Sequence, residues 1–228
     1  MKHLKYHLPL LTLLLAGCGG NTSETPPAAT TNATAPATTV APTAPPAAAP
    51  TAAAPDSKPA ANTNEVAVIK TTEGDMVIEF WTDAAPKTIA NFKKLAESGF
   101  YDGTCFHRVI KGFMIQGGDP YTKDPAKENV WGQGDPGYKI DAEFNDHSHV
   151  RGVISMARSA DPNSAGSQFF ICHGSPVQLD HQYTTFGHLI KGDDVLEKIA
   201  TTPTHPQDRP DTRMGVISIK IVPANSVN

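Results

Sequence analysis

Between Gly19 and Asn64 the chain is built almost wholly of Ala, Pro, Thr, Asn and Ser, and no apolar residue recurs there with a helical or strand period. Such a stretch cannot bury enough surface to offset the entropy of ordering its backbone, so it reads as a disordered tether. A core can therefore form only from Glu65 onwards, which confines folding to one domain of ordinary size within the 228 residues. About 45 residues of tether reach roughly 40 Å as a flexible coil and roughly 140 Å where proline extends them.

Within the remainder, Val66-Ala67-Val68-Ile69-Lys70 and Met76-Val77-Ile78-Glu79-Phe80 flank Thr72-Glu73-Gly74-Asp75, the pattern of a hairpin whose turn is supplied by glycine. Pro86 suits the first turn of a helix that carries Ile89, Phe92 and Leu95 on one side and stops near Gly99. Further strands fit residues 104–109, 113–117, 153–157, 168–172 and 186–190. A second helix fits 193–200, with Val195 and Ile199 one turn apart, and a last strand over 216–222 alternates through Ile217, Ile219 and Ile221. Residues 120–139, rich in Gly, Asp, Lys and Pro, read as long surface loops. Many short strands with Gly and Pro turns, plus two helices, leave an all-β sandwich and a barrel both open.

The stretch Phe106-His107-Arg108-Val109-Ile110-Lys111-Gly112-Phe113-Met114-Ile115-Gln116-Gly117-Gly118-Asp119 sets a permanent cation and an amide among bulky apolar groups. If 106–109 and 113–117 are strands, residues two apart share a face, so Phe106 is expected to point with Arg108, and Met114 with Gln116. The stretch closely resembles the signature of the cyclophilins, the peptidyl-prolyl cis-trans isomerases. Two later segments extend the match in order: Gly152-Val153-Ile154-Ser155-Met156-Ala157-Arg158 with Gly166-Ser167-Gln168-Phe169-Phe170-Ile171, and Leu179-Asp180 with Phe186-Gly187. The likeness runs from about Val66 to Val222, and several spaced motifs are more specific than one. It implies an all-β fold, a closed eight-stranded antiparallel β-barrel capped by two α-helices.

It also implies a chemistry, rotation about X-Pro peptide bonds. Resonance sets that barrier near 20 kcal/mol, and millisecond turnover requires removing about 7 kcal/mol of it. No bond is broken, so neither a cofactor nor a metal is implied. The state to be bound is a twisted amide whose nitrogen has regained its lone pair, and a donor aimed there binds it better than either planar form. By resemblance Arg108 is that donor, while Gln116 binds a substrate carbonyl and helps orient Arg108. The proline pocket falls on Phe113, Met114, Phe170, Leu179 and Tyr183, and the neighbouring groove on His107, Ala157, Arg158 and Gln168. Read singly, Phe and Met are more often core, and only the accompanying Arg108 and Gln116 favour a surface pocket. Gln178 and Tyr183 depart from the best-known eukaryotic pattern, which has tryptophan and histidine at those places. The implied partners are proline-containing unfolded or extended polypeptides. A non-catalytic peptide-binding or chaperone module using the same groove is the rival reading.

Residues 1–17 read as an export signal, with Lys2, His3 and Lys5 ahead of an apolar run from Leu8 to Leu15 that is too short to span a bilayer. Leu15-Ala16-Gly17-Cys18 resembles a bacterial lipobox, which implies a lipid on Cys18, a tether over 18–64 and an isomerase domain over 65–228. Membrane attachment through Cys18 would hold the domain outside the cytoplasm. Gly19 lacks the inner-membrane retention signal of aspartate, so in a cell with two membranes the expected place is the outer one, facing the periplasm. The formal charge of -4 offers no basic footprint for nucleic acid. His147-Ser148-His149 beside Asp146 lacks a third ligand placed by spacing, so no metal is assigned. Cys105 and Cys172 are expected, by resemblance, to be buried free thiols. Monomer is the default state.

Overall fold

The computed structural model describes residues 64–227, so the expectations for the export signal, for Cys18 and for the tether up to residue 63 lie outside the described residues. Strands β1 (Glu65–Thr71) and β2 (Gly74–Phe80) form the expected hairpin, closed by the pairing of Thr71 with Gly74. Gly74 has a φ of +139°, and a Cβ there would lie 2.7 Å from Val195 Cγ2, so its lack of a side chain serves both the turn and the helix packed behind it. Helix α1 (Pro86–Glu97) opens on Pro86, whose missing N–H costs nothing at that position. The next two amides, of Lys87 and Thr88, donate to the distant Glu143 carboxylate at 3.1 and 2.7 Å. Ile89, Phe92 and Leu95 are buried together on the inner side of the helix.

The other strands are β3 (Cys105–Phe106), β4 (Arg108–Ile110), β5 (Met114–Gly117), β6 (Val153–Met156), β7 (Phe169–Cys172), β8 (Thr185–Lys191) and β11 (Met214–Pro223). Between helix α2 (Asp193–Ala200) and β11 lies a short ribbon of β9 (Thr204–His205) and β10 (Arg209–Pro210). The main sheet runs β3-β11-β1-β2-β8-β6-β7-β5-β4 with antiparallel neighbours throughout. Its two end strands are consecutive in the chain and separated only by His107. Counted as one staggered strand, they bring the order back on itself as eight strands, a nearly closed all-β barrel with two helices.

That join overturns one expectation. Phe106 enters the barrel core whereas Arg108 lines a cavity on the outer face, because the strand breaks at His107 and its alternation does not carry across. Ile217 departs for a related reason. It is 51% exposed while Val216 and Ile219 are buried. Lys70 faces Ser218 and Thr71 faces Val216, so Ile217 is the extra residue of a bulge that switches which positions point inward. Residues 120–139 are also more than surface loop: Pro120–Lys123 and Pro125–Val130 form 3-10 turns, and Thr122 is fully buried.

Alternation along β5, β6 and β7 sends Ile115, Ile154, Phe169 and Ile171 into the barrel, where they meet Phe92, Tyr101 and Phe186. It sends Met114, Val153, Phe170 and Cys172 outward, beneath Trp81, Ile110, Phe113, Leu179 and Tyr183. Both faces of these strands are buried, which is why they read as near-continuous apolar runs. Cys105 and Cys172 are buried free thiols; burial raises both, Cys172 to about 12, so neither is a thiolate at neutral pH.

Candidate functional site

Strand register assembles the site. Arg108 pairs with Gln116, Gln116 with Phe170 and Phe170 with Ser155, so these four form one row across β4, β5, β7 and β6. Ile110, Met114 and Cys172 form the next row. Phe113 comes from the turn between β4 and β5, Ala157 and Arg158 follow β6, and Leu179 and Tyr183 close the rim from the segment before β8.

Arg108, Phe113, Met114, Gln116, Ala157, Arg158, Phe170, Leu179 and Tyr183 line one cavity of about 120 Å³. Gln168 stands outside it, in an adjoining cavity of about 350 Å³ that shares Gln116, Ala157 and Arg158 with the first. His107 lines neither; it is buried in the wall of an adjoining hollow that shares Arg108, Gln116 and Arg158 with the first cavity.

Arg108 Nε donates to Asp208 Oδ2 at 3.3 Å, and its two Nη groups have no hydrogen-bond partner among the described residues. Asp208 sits in the turn between β9 and β10 at a φ of +60°, and its carbonyl accepts from Val109 N at 2.7 Å. The resemblance implies that Gln116 orients Arg108, but Gln116 Nε2 donates instead to Gln168 Oε1 at 3.0 Å. Gln168 Nε2 in turn donates to the carbonyls of Gly132 and Gly134. The partner that holds Arg108 is therefore Asp208. Arg158 lies with Cζ 4.7 Å from the Tyr183 ring centre, its Nε and Nη1 donating to the carbonyls of Gln182, Ser159 and Ala160.

Behind the pocket, Phe170 stacks on His149 at 5.9 Å and meets Tyr183 edge-on at 5.8 Å. His149 is fully buried, with Nδ1 2.8 Å from Asp180 Oδ1 and Nε2 3.1 Å from Ser155 Oγ. Ser155 is equally buried, so this serine-histidine-aspartate row presents no nucleophile and serves to brace Phe170. Sequence reading missed both Asp208 and this brace; the only signal for the latter was Asp180 next to Leu179. Asp146, His147 and His149 do not converge, since His147 stacks on Trp81 at 3.8 Å while His149 points into the brace. Among the described residues no group of three His, Cys, Asp or Glu side chains is placed to hold a metal.

Burial pushes the His107 imidazole down to about 4, against the opposing pull of Asp119, and both ring nitrogens are buried without a hydrogen-bond partner among the described residues. Below its ordinary value of 6.5 the unfolded chain takes up a proton that the folded chain refuses. Stability is thus full above that pH and falls as pH drops towards 4, by about 3 kcal/mol over the window. Urea unfolding at pH 7 and near pH 4 should show the loss, and His107→Gln should remove this share of it. Burial lowers His149 as well, so the variant should keep a shallower slope. Equal slopes in the two proteins would contradict the assignment.

This barrel, and this row on its outer face, can be set beside known proteins. Residues 66–221 match the family model described as cyclophilin type peptidyl-prolyl cis-trans isomerase/CLD. The chain belongs to the cyclophilin family. A peptidyl-prolyl cis-trans isomerase of Synechococcus elongatus is 50% identical over 121 residues, covering 53% of this chain and 77% of that one. Peptidyl-prolyl cis-trans isomerase-like 1 of Neurospora crassa is 39% identical over 160 residues, covering 68% of this chain and 92% of its own. The crystal structure of a Cryptosporidium parvum cyclophilin type isomerase, determined in the presence of the dipeptide Ala-Pro, is similar with a TM-score of 0.63 at 36% identity. It covers 69% of this chain and 98% of that one. Peptidyl-prolyl cis-trans isomerisation is the activity of this cyclophilin, and its nearly closed barrel is the family's.

Proposed function

We propose that this cyclophilin turns X-Pro bonds of exported polypeptides by donating a hydrogen bond from Arg108 to the prolyl nitrogen while the ring sits among Phe113, Met114, Phe170, Leu179 and Tyr183. The observation that carries the reading is the state of Arg108: anchored through Nε, on the rim of the cavity lined by Phe113, Met114, Phe170, Leu179 and Tyr183, with both Nη groups uncommitted among the described residues. A planar amide nitrogen has no lone pair to offer such a donor, whereas the twisted one does, so the bond strengthens as the barrier is climbed. A charge-assisted hydrogen bond contributes about 1.5 to 3 kcal/mol, and holding the ring while excluding water supplies the rest. Gln116, which keeps one N–H beyond the bond to Gln168, offers a donor to a substrate carbonyl on the side of Ala157 and Arg158, while Gln168 holds Gln116 in place. That the Cryptosporidium protein was crystallised in the presence of Ala-Pro supports proline-containing peptides as the ligand class here.

Exchange NMR on a short Ala-Pro peptide tests this reading directly. Acceleration by the chain and near loss of it in Arg108→Ala would support catalysis by that guanidinium; undiminished acceleration in the variant would refute it, and no acceleration by either would favour the non-catalytic binder.

Attachment belongs to the same proposal. Lys2, His3 and Lys5 before the Leu8 to Leu15 run, followed by Cys18, support export and lipidation of a monomer held by a long tether outside the cytoplasm, on the outer membrane where a cell has two. Labelled fatty acid fed to the expressing cells should enter the protein, and Cys18→Ser should abolish the label and release the protein from the membrane fraction. Label retained by the variant would end the proposal.

A further inference from the structure

The hollow that includes His107 has a volume of about 660 Å³ and shares Arg108, Gln116 and Arg158 with the proline pocket. Arg108, Arg158 and Arg209 are among the residues that line it, together with Asn129 and Gln207, and no Asp or Glu is among them. Two carboxylates stand behind the arginines. Asp208 takes Arg108 Nε, and Glu128 Oε1 takes Arg209 Nη1 at 2.7 Å. Asp119 is buried beside His107 and accepts from Gly132 N, and Arg213 Cζ lies 5.9 Å from the Trp131 ring centre, so four positive charges stand against three negative, a surplus of one. The Nη pair of Arg108, Nη2 of Arg158 and Nη2 of Arg209 are left without hydrogen-bond partners among the described residues.

The two outer guanidiniums are held in place before any ligand arrives. Arg209 has its Cζ 5.3 Å from the Trp131 ring centre and its side chain only 18% exposed, and Arg158 lies over Tyr183 with three carbonyls on its inner nitrogens. A guanidinium whose orientation is already set loses little entropy when its remaining Nη2 donates to a carboxylate, an acceptor-only group. The buried His107 in the wall is neutral at neutral pH and contributes no charge, so the attraction rests on the arginines. A hydroxyl or an amide would bring its own donors into a hollow already in donor excess. An extended peptide advances about 3.3 Å per residue, so a cavity sharing three wall residues with the proline pocket is reached from about one to three positions away.

We propose that this hollow is a subsite for an acidic side chain, so that the cyclophilin prefers prolines flanked at one nearby position by Glu or Asp, held by Arg158 and Arg209. The inference rests on the proline occupying the cavity beside Arg108. It makes the substrate class narrower than proline-containing chains at large.

The test scans Glu and, separately, Gln through the three positions on each side of an Ala-Pro peptide that is otherwise neutral. Isomerisation by the full chain is followed by exchange NMR and affinity by chemical-shift titration. At one flanking position Glu should exceed Gln about fivefold in kcat/KM, the scale of a well-placed, partly exposed ion pair. The ratio should shrink towards one in Arg158→Gln, in Arg209→Gln and at high salt. Glu and Gln equal at every position, or a Glu preference that survives both substitutions, would overturn the subsite. Failure of the neutral peptide to be turned over would strike the isomerase mechanism instead, and the titrated affinities would still decide the subsite, equal values overturning it.

Discussion

Replacing Arg108 by alanine should lower kcat/KM for a short Ala-Pro peptide by about 10- to 100-fold, the equivalent of one charge-assisted hydrogen bond made only in the transition state. The fold should be untouched. Arg108 is on the outer face of the barrel with its side chain 43% exposed, so its removal opens no core cavity, and the Asp208 it leaves behind, 46% exposed, can turn to water. Arg108→Lys is the more instructive companion. An ammonium can reach Asp208 or the prolyl nitrogen, but it lacks the rigid fork that lets one nitrogen be anchored while the others point into the pocket. It should recover only part of the lost rate. Exchange NMR for the rate, with thermal unfolding as the control for folding, checks both; a rate within twofold of the parent in Arg108→Ala would remove the guanidinium from the mechanism.

Phe92→Ala should cost about 4 kcal/mol of folding stability, a large share of the roughly 5 to 15 kcal/mol available to a domain. Phe92 is fully buried on α1, and its ring lies 5.2 to 6.0 Å from those of Phe80, Tyr101, Phe169 and Phe186. Those partners come from β2, the segment after α1, β7 and β8, so one side chain ties the helix to three strands of the barrel. Alanine would leave a void that the stiff barrel wall can fill only partly, while Phe92→Leu keeps most of the volume and should cost less than half as much. Urea unfolding gives both numbers, and a loss below 1 kcal/mol for the alanine variant would mean the cluster tolerates the void.

The chain order of elements was readable in advance because each signal is local. Pro86 opens α1, Gly99 follows its end, and Ile89, Phe92 and Leu95 recur at the spacing that puts them on one side. The pocket residues were readable for a different reason, since their spaced motifs resemble a known family in which strand register is shared. What stayed hidden depended on register and on distant partners. Alternation reports a face only while a strand is unbroken, so the break at His107 and the bulge at Ile217 reversed the faces inferred for Phe106 and Ile217. Asp208 lies 100 residues from the Arg108 it anchors, and Glu143 lies 55 and 56 residues from the α1 amides it meets. Arg209 and Trp131 join Arg108 and Arg158 around one hollow only when the ribbon after α2 folds back against β4. The sequence by itself determined where the main strands and the two helices lie, and its spaced motifs named side chains that the fold gathers round one cavity. The tertiary structure alone decided how Arg108 is held and what charge surrounds it, because pairing across a barrel joins residues that no local periodicity connects.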